Sequence, residues 1–278
     1  MAPGAPSGSH CLVDNEFTGS IPQIYERYLV PLIFETYAAD LAARVVRRNP
    51  SRVLELAAGT GVVTRQLAAL LPAGASIIAT DLNQPMIDQA AAIGTHRPVE
   101  WRQADAMRLP FADETFDVVV CQFGVMFFPD KAHAFAEARR VLRPGGAFLF
   151  NVWDRIDQNE FADTVTRALQ ERLPDDPPQF MARVPHGYHD VDAIARELVA
   201  AGFQAPQVHT RTARSRAESP RIPAVAYCQG TPLRLELDAR GLPLTEATDL
   251  AESALAKQFG AGRVDGKIQA LVIEADNR

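Results

Sequence analysis

From Glu35 to Arg48 the apolar positions Tyr37, Ala38, Leu41, Ala42, Val45 and Val46 recur at helical spacing and predict a helix with one buried face. Arg47, Arg48, Asn49 and Pro50 then stop it. Beyond Pro50 the pattern alternates. Apolar runs at 52–57, 76–81, 99–105, 116–123 and 147–154 read as strands, the fourth being the most apolar. Helical spacing at 62–71, 84–93 and 132–142 fills three of the gaps between them. The last of these helices opens at Asp130 and ends among Arg139, Arg140 and Arg143, where cations suit the helix dipole. Residues 143–146 (RPGG) read as a turn. Strands alternating with helices of this length predict a parallel sheet, covered on both faces and joined by right-handed crossovers.

The C-terminal part is less regular. Helices are expected at 160–173, at 191–203 with Gly202 as cap, and at 245–259. Strands are expected at 207–217 and 267–275, and a Pro-rich loop at 174–190. Residues 1–16, rich in Gly, Pro and Ser, read as a disordered tail or a cloning remnant, and no internal repeat is visible.

Composition narrows the function classes. The chain has 278 residues, 28 Lys+Arg against 34 Asp+Glu, and a net charge of −6. With 22% charged and 47% hydrophobic residues it has the balance of a globular chain. The acidic excess argues against sequence-independent nucleic-acid binding. Cys11, Cys121 and Cys228 lie far apart, which excludes a disulfide scaffold and a cysteine zinc site. No apolar run reaches the ~18 residues of a membrane span, and the N-terminus lacks the basic and apolar regions of a secretory signal. A cytoplasmic protein with no membrane partner is expected.

The first chemical motif is Val53-Leu54-Glu55-Leu56-Ala57-Ala58-Gly59-Thr60-Gly61, a strand running into a Gly-x-Gly turn that opens a helix. Glycines let a ligand approach the backbone, and the helix N-terminus offers free N–H groups. Asp81 ends the next strand, 20 residues after Gly61, where a carboxylate can bond both ribose hydroxyls. Both NAD and S-adenosylmethionine use this geometry. Thr64 stands where a dinucleotide fingerprint wants Gly or Ala, and Glu55 offers a carboxylate to an α-ammonium that only the second ligand carries. A tight turn with no ligand is the bland alternative.

The motifs VLELAAGTG, ATDLNQPMIDQA, ADAMRLPFADETFDVVVCQFGVMFFPD and RVLRPGG, in that order between Arg52 and Asp154, resemble the class I S-adenosylmethionine-dependent methyltransferases. Their nearest likeness is to the ubiquinone/menaquinone-biosynthesis branch. The resemblance implies an α/β, Rossmann-like doubly wound seven-stranded sheet of order 3-2-1-4-5-7-6 with the last strand antiparallel. It implies one domain over 17–278: a helical lid at 17–50, a cofactor half at 51–154, and a substrate side with the C-terminal strands at 155–278. It also implies roles for the donor. Gly59, Gly61 and the carbonyl of Ala57 line the methionine end. Asp81 holds the ribose. Leu82 and Met86 flank the adenine. Asp105 and Ala106 meet its amino edge. Gln122 and Phe123 contact the methionine moiety. The family usually has Gly where this chain has Ala57, and a turn of negative φ would keep the alanine. Asp105 also reads as a turn residue, and Gln122 as a strand-end group reaching water.

The methyl acceptor is a small molecule on this reading, since neither a basic cleft nor an added recognition domain is visible. Tyr25 and Tyr28, three apart in the lid segment, are candidates for the methyl group and for the cofactor side, or else pack a lid helix. In the Pro-rich loop His186 and Tyr188 are candidate catalytic groups, His186 as a base near neutral pH or as a structural residue. Tyr227, Cys228, Gln229 and Thr231 form a further polar stretch that can close the pocket. No metal site is expected, since His186 and His189 have no convincing third ligand. Arg211, Arg214, Arg216 and Arg221 read as a solvated strand edge or as an RNA-facing patch. The rivals are an RNA or protein methyltransferase, a NAD-dependent oxidoreductase and a cofactor-binding protein without catalysis. A monomer and a homodimer both fit.

Overall fold

The computed structural model describes residues 14–278. The disordered tail expected at 1–16 falls outside the described residues as far as residue 13. Asp14, Asn15 and Glu16 are described, and Asp14 is buried and ion-paired to Arg183, so the expectation does not hold for them.

Seven strands form one sheet in the order β3-β2-β1-β4-β5-β7-β6. They are β1 (Arg52–Leu56), β2 (Ser76–Asp81), β3 (Glu100–Gln103), β4 (Phe116–Gln122), β5 (Leu142–Trp153), β6 (Gln207–Ala217) and β7 (Val264–Asp276). β1 to β5 pair in parallel, and β7 inserts antiparallel between β5 and β6. The fold is therefore the Rossmann-like sheet that the motifs implied. The central strands read as apolar runs because helices cover both faces. Val118, Val119, Val120 and Cys121 of β4 are all buried. Phe135, Phe148 and Phe150 pack as an aromatic cluster on one side.

Most helices form where the periodicity places them, the helix Gln84–Ile93 to the residue. Asp130 and Asp190 cap the helices Lys131–Val141 and Val191–Ala200 by accepting backbone N–H bonds. Four elements differ from the sequence reading. The Pro-rich loop expected at 174–190 holds a short helix, Phe180–Arg183. β5 begins at Leu142, so the expected turn at 143–146 lies inside an irregular strand start. The polar stretch around Tyr227 is part of a helix, Arg221–Gln229, followed by a second, Leu233–Ala239. The lid segment contains a ten-residue π-helix, Tyr25–Phe34, between the short helix Ile21–Ile24 and the helix Glu35–Arg47. It closes with the Glu35 N–H donating to the Val30 carbonyl, an i→i+5 bond. Pro31 lies inside it and has no N–H to give. No described helix is long and apolar enough to cross a membrane.

Candidate cofactor and acceptor site

β1 and β4 are neighbours, yet the chain leaves β1 towards β2 on one side and β4 towards β5 on the other. The crevice above their carboxyl ends is the topological switch point of the sheet. A cavity of about 330 Å³ opens there, within the range of small-molecule sites. One end is polar, lined by Ala57, Gly59, Asp81, Asn83 and Asp105; the other is walled by Phe34, Phe127, Trp153, Phe180 and Tyr227.

Asp81 is the most constrained group at the polar end. Its Oδ2 accepts from the Gly59 N–H at 2.9 Å and its Oδ1 from the Asn83 N–H at 2.8 Å. Burial pushes its carboxyl up, while these donors pull it back down. Asn83 Nδ2 also donates to Oδ1 at 3.5 Å, so Oδ2 is the oxygen with a lone pair for a further donor. Leu82, Met86, Asp105, Ala106, Gln122 and Phe123 also lie on the wall, as their sequence positions implied. Asp105 is a turn residue as well, its Oδ1 accepting from the Met107 N–H at 2.9 Å. Gln122 Oε1 is buried without a partner among the described residues.

The backbone here is strained at two non-glycine positions. Ala57 has φ +49°, not the negative value that the tolerated-alanine reading required. The alanine survives because Gly124 faces it. A Cβ built on Gly124 would stand 2.5 Å from Ala57 Cβ and 2.7 Å from Cys121 Sγ. Phe123 has φ +49°. Its N–H donates to both the carbonyl and Oδ1 of Asn151, at 3.1 and 3.0 Å, and its ring stacks on Trp153 at 3.8 Å. Those contacts fix the wall where the strand ends.

Five of the expected site residues do not line the cavity. Alternation along β1 turns Glu55 towards the helix Val62–Leu70, where Thr64 Oγ1 donates to its Oε2 at 2.6 Å. It is 1% exposed, and burial pushes its carboxyl up to about 8. Gly61 is the N-cap of the helix Val62–Leu70, where its backbone conformation and packing both call for a glycine. It has φ +85°, and a Cβ there would lie 2.8 Å from the Trp101 ring. Tyr28 lies under the Arg27 guanidinium, 5.1 Å from the ring centre. In a π-helix of roughly 4.4 residues per turn a spacing of three falls on different faces. Tyr25, Leu29, Ile33 and Phe34 share the cavity face instead. His186 is buried, and its Nδ1 bonds the Asp154 carbonyl at 2.8 Å. Burial pushes it down to about 4, so it is neutral at pH 7. The Tyr188 hydroxyl donates to Glu197, away from the wall.

Tyr25 is on the wall. Its ring stacks on Phe34 at 5.0 Å, and a Cβ built on Gly59 would stand 3.7 Å from its hydroxyl. Burial and the Asp81 charge push its phenol up, and burial does the same to Tyr227, so both keep their protons. The sequence reading had not singled out Asn83, Phe34 or Trp153. Asn83 Oδ1 accepts from the Phe17 N–H at 3.3 Å and its Nδ2 donates to the Asn15 carbonyl at 3.0 Å, so it fastens the irregular segment 15–17 to the loop after Asp81. Trp153 was findable, since it ends an expected strand at the carboxyl edge of the sheet, where ligands sit.

Comparison with known proteins points one way. Residues 54–150 match the family model described as a methyltransferase domain. A demethylmenaquinone methyltransferase of Mycobacterium sp. (strain KMS) is 35% identical, over 55% of this chain and 67% of the relative. The ubiquinone/menaquinone biosynthesis C-methyltransferase UbiE of Stutzerimonas stutzeri is 26% identical, over 72% of this chain and 79% of the relative. Among solved structures, YcgJ of Bacillus subtilis superposes with a TM-score of 0.57 at 17% identity, covering 87% of this chain and 99% of that one. Phosphoethanolamine N-methyltransferase 2 of Haemonchus contortus, in complex with S-adenosylhomocysteine, gives 0.52 at 17% identity over 94% and 60%.

Proposed function

The chain belongs to the class I S-adenosylmethionine-dependent methyltransferases, and from that premise we propose that it methylates an apolar small molecule carrying an aromatic or quinol ring. The observation that carries the proposal is the polarity of one cavity: carboxylates and backbone donors at one end, aromatic rings at the other. The names of the quinone-biosynthesis relatives support a ring acceptor.

The residues at the polar end fit the donor. Asp81 would hold the ribose hydroxyls, Oδ2 most directly and Oδ1 in place of its long bond from Asn83 Nδ2; Leu82 and Met86 would flank the adenine, and Asp105 with Ala106 would meet the adenine amino edge. Gln122 Oε1, a buried acceptor without a partner, suits the α-ammonium. Ala57, Gly59 and Phe123 would complete the methionine end. When bound, the donor supplies a methyl group already activated by its sulfonium.

The chain's own contribution is alignment and exclusion of water. Phe34, Trp153 and Phe180 would seat the acceptor ring, and Tyr25 would close the site over Gly59. Tyr25 and Tyr227 hold their protons at neutral pH, so they donate hydrogen bonds and do not remove protons. His186 is off the wall. The acceptor therefore brings a nucleophile that is ionised or has a free lone pair at neutral pH.

The test is methyl-label transfer to a panel of quinols, phenols, amines and tRNA. Apolar ring acceptors should be labelled, and Tyr25→Phe should keep turnover within about tenfold, the loss of one hydrogen bond. Labelling of tRNA or of charged amines alone would refute the proposed acceptor class.

A further inference from the structure

Arg65 belongs to no motif and does not line the cavity, yet it touches both the glycine turn and the lid. It rises from the first turn of the helix Val62–Leu70. Its Nη1 donates to the Thr60 carbonyl at 2.7 Å, inside the turn, and its Nη2 pairs with Glu26 Oε1 at 2.8 Å. Glu26 follows Tyr25 on the π-helix. The two side chains are 24% and 22% exposed, so solvent screens the pair only partly. Two buried polar atoms without partners among the described residues, Glu26 Oε2 and Thr60 Oγ1, belong to the two residues that the guanidinium bridges.

We propose that Arg65 is a positioning residue which, with Glu26, forms a catch that closes the Tyr25-bearing lid over the methyl donor. The inference rests on the donor reading of the cavity. One planar guanidinium reaches two targets at once because its donors point in fixed directions. One target is the backbone that borders Gly59; the other is the lid residue next to the ring that covers it. With the catch made, Tyr25 is held on Phe34 and over Gly59. With it broken, the lid loses its fixed point on the turn, and the donor site opens more often. The unsatisfied atoms on either side leave room for the catch to tighten, since buried polar groups normally find partners. Lid opening governs how long a ligand stays, so the catch acts on dissociation rather than on encounter.

The experiment measures S-adenosylhomocysteine binding and dissociation by stopped flow for the full chain, Glu26→Gln, Arg65→Met and the double variant. The single variants should dissociate about fivefold faster with association unchanged, on the scale of a partly exposed ion pair. The double variant should be no worse than the weaker single one, because the two residues act as a unit. In turnover, KM for S-adenosylmethionine should rise and KM for the acceptor should not. A merely structural role would lower thermal stability and leave that contrast absent. If Arg65→Met does not fold, Glu26→Gln at the lid surface decides. Unchanged dissociation in Glu26→Gln, or effects that simply add, would overturn the catch. Failure of the unmodified chain to bind S-adenosylhomocysteine would instead overturn the donor reading, so the two failures are distinguishable.

Discussion

Ala57 shows how one side chain is accommodated by its neighbour. An alanine at φ +49° costs roughly 1–2 kcal/mol against a right-handed one, and it is tolerated because Gly124 leaves space for its Cβ. Gly124→Ala should therefore destabilise the chain by about 1–3 kcal/mol. Adding Ala57→Gly should restore part of that loss, the remainder being the contact with Cys121 Sγ. Chemical denaturation of the four proteins checks it, and strict additivity would contradict it. Glu55 gives a second residue-scale prediction. Its folded-state pKa, raised to about 8, lies above the unfolded value. The unfolded chain ionises first as pH rises, so stability falls from about pH 4.5 to 8, by ~3–5 kcal/mol for a shift of this size. Glu55→Gln should flatten that limb in a pH series of melts. The sequence announces a carboxylate at position 55 but not its direction. Only the pairing with Thr64, nine residues on, turns it into the helix and away from the ligand.

At the scale of elements, the loop after the helix Glu160–Arg172 supplies part of the cavity wall. The short helix Phe180–Arg183 puts Phe180 and Met181 on the cavity, while His186 is turned back onto Asp154. His186 is pushed down to about 4, below its unfolded value. Its contribution is complete above pH 6.5 and is lost as the pH falls towards 4. His186→Gln should flatten the acid limb of stability and leave the pH profile of turnover near neutrality unchanged. Loss of the acid-side limb of the turnover profile in this variant would return His186 to catalysis as a base. Asn83 ties the irregular segment 15–17 to the end of β2, where Asp81 stands. Asn83→Ala should weaken S-adenosylhomocysteine about three- to tenfold, the scale of one or two hydrogen bonds. The helices with strong periodicity were legible in the sequence. The π-helix was not, because its i→i+5 winding leaves no distinct apolar period, and Pro31 reads as a stop. That is also why Tyr28 was paired with Tyr25 in the sequence reading.

For the whole molecule, topology decides where chemistry happens. The chain departs from β1 and β4 in opposite directions, and Ala57, Gly59, Asp81, Leu82, Asp105, Gln122 and Phe123 of the cavity come from strand ends or from the turns after them. The order of the strands was legible only through the family resemblance that the motifs carry, and Gly59, Asp81 and Asp105 line the cavity from contiguous motifs close to strand ends. The acceptor wall was not legible. Phe34, Trp153, Phe180 and Tyr227 come from four separate segments, and folding alone brings them together. The central claim is that Asp81 anchors a nucleoside donor at this crevice. Titration calorimetry of S-adenosylhomocysteine into the chain and into Asp81→Asn tests it most directly. The account predicts micromolar binding that weakens about 10- to 100-fold in the variant, the scale of hydrogen bonds to a charged group. Equal affinity in both proteins, or binding of NAD in place of S-adenosylhomocysteine, would contradict it.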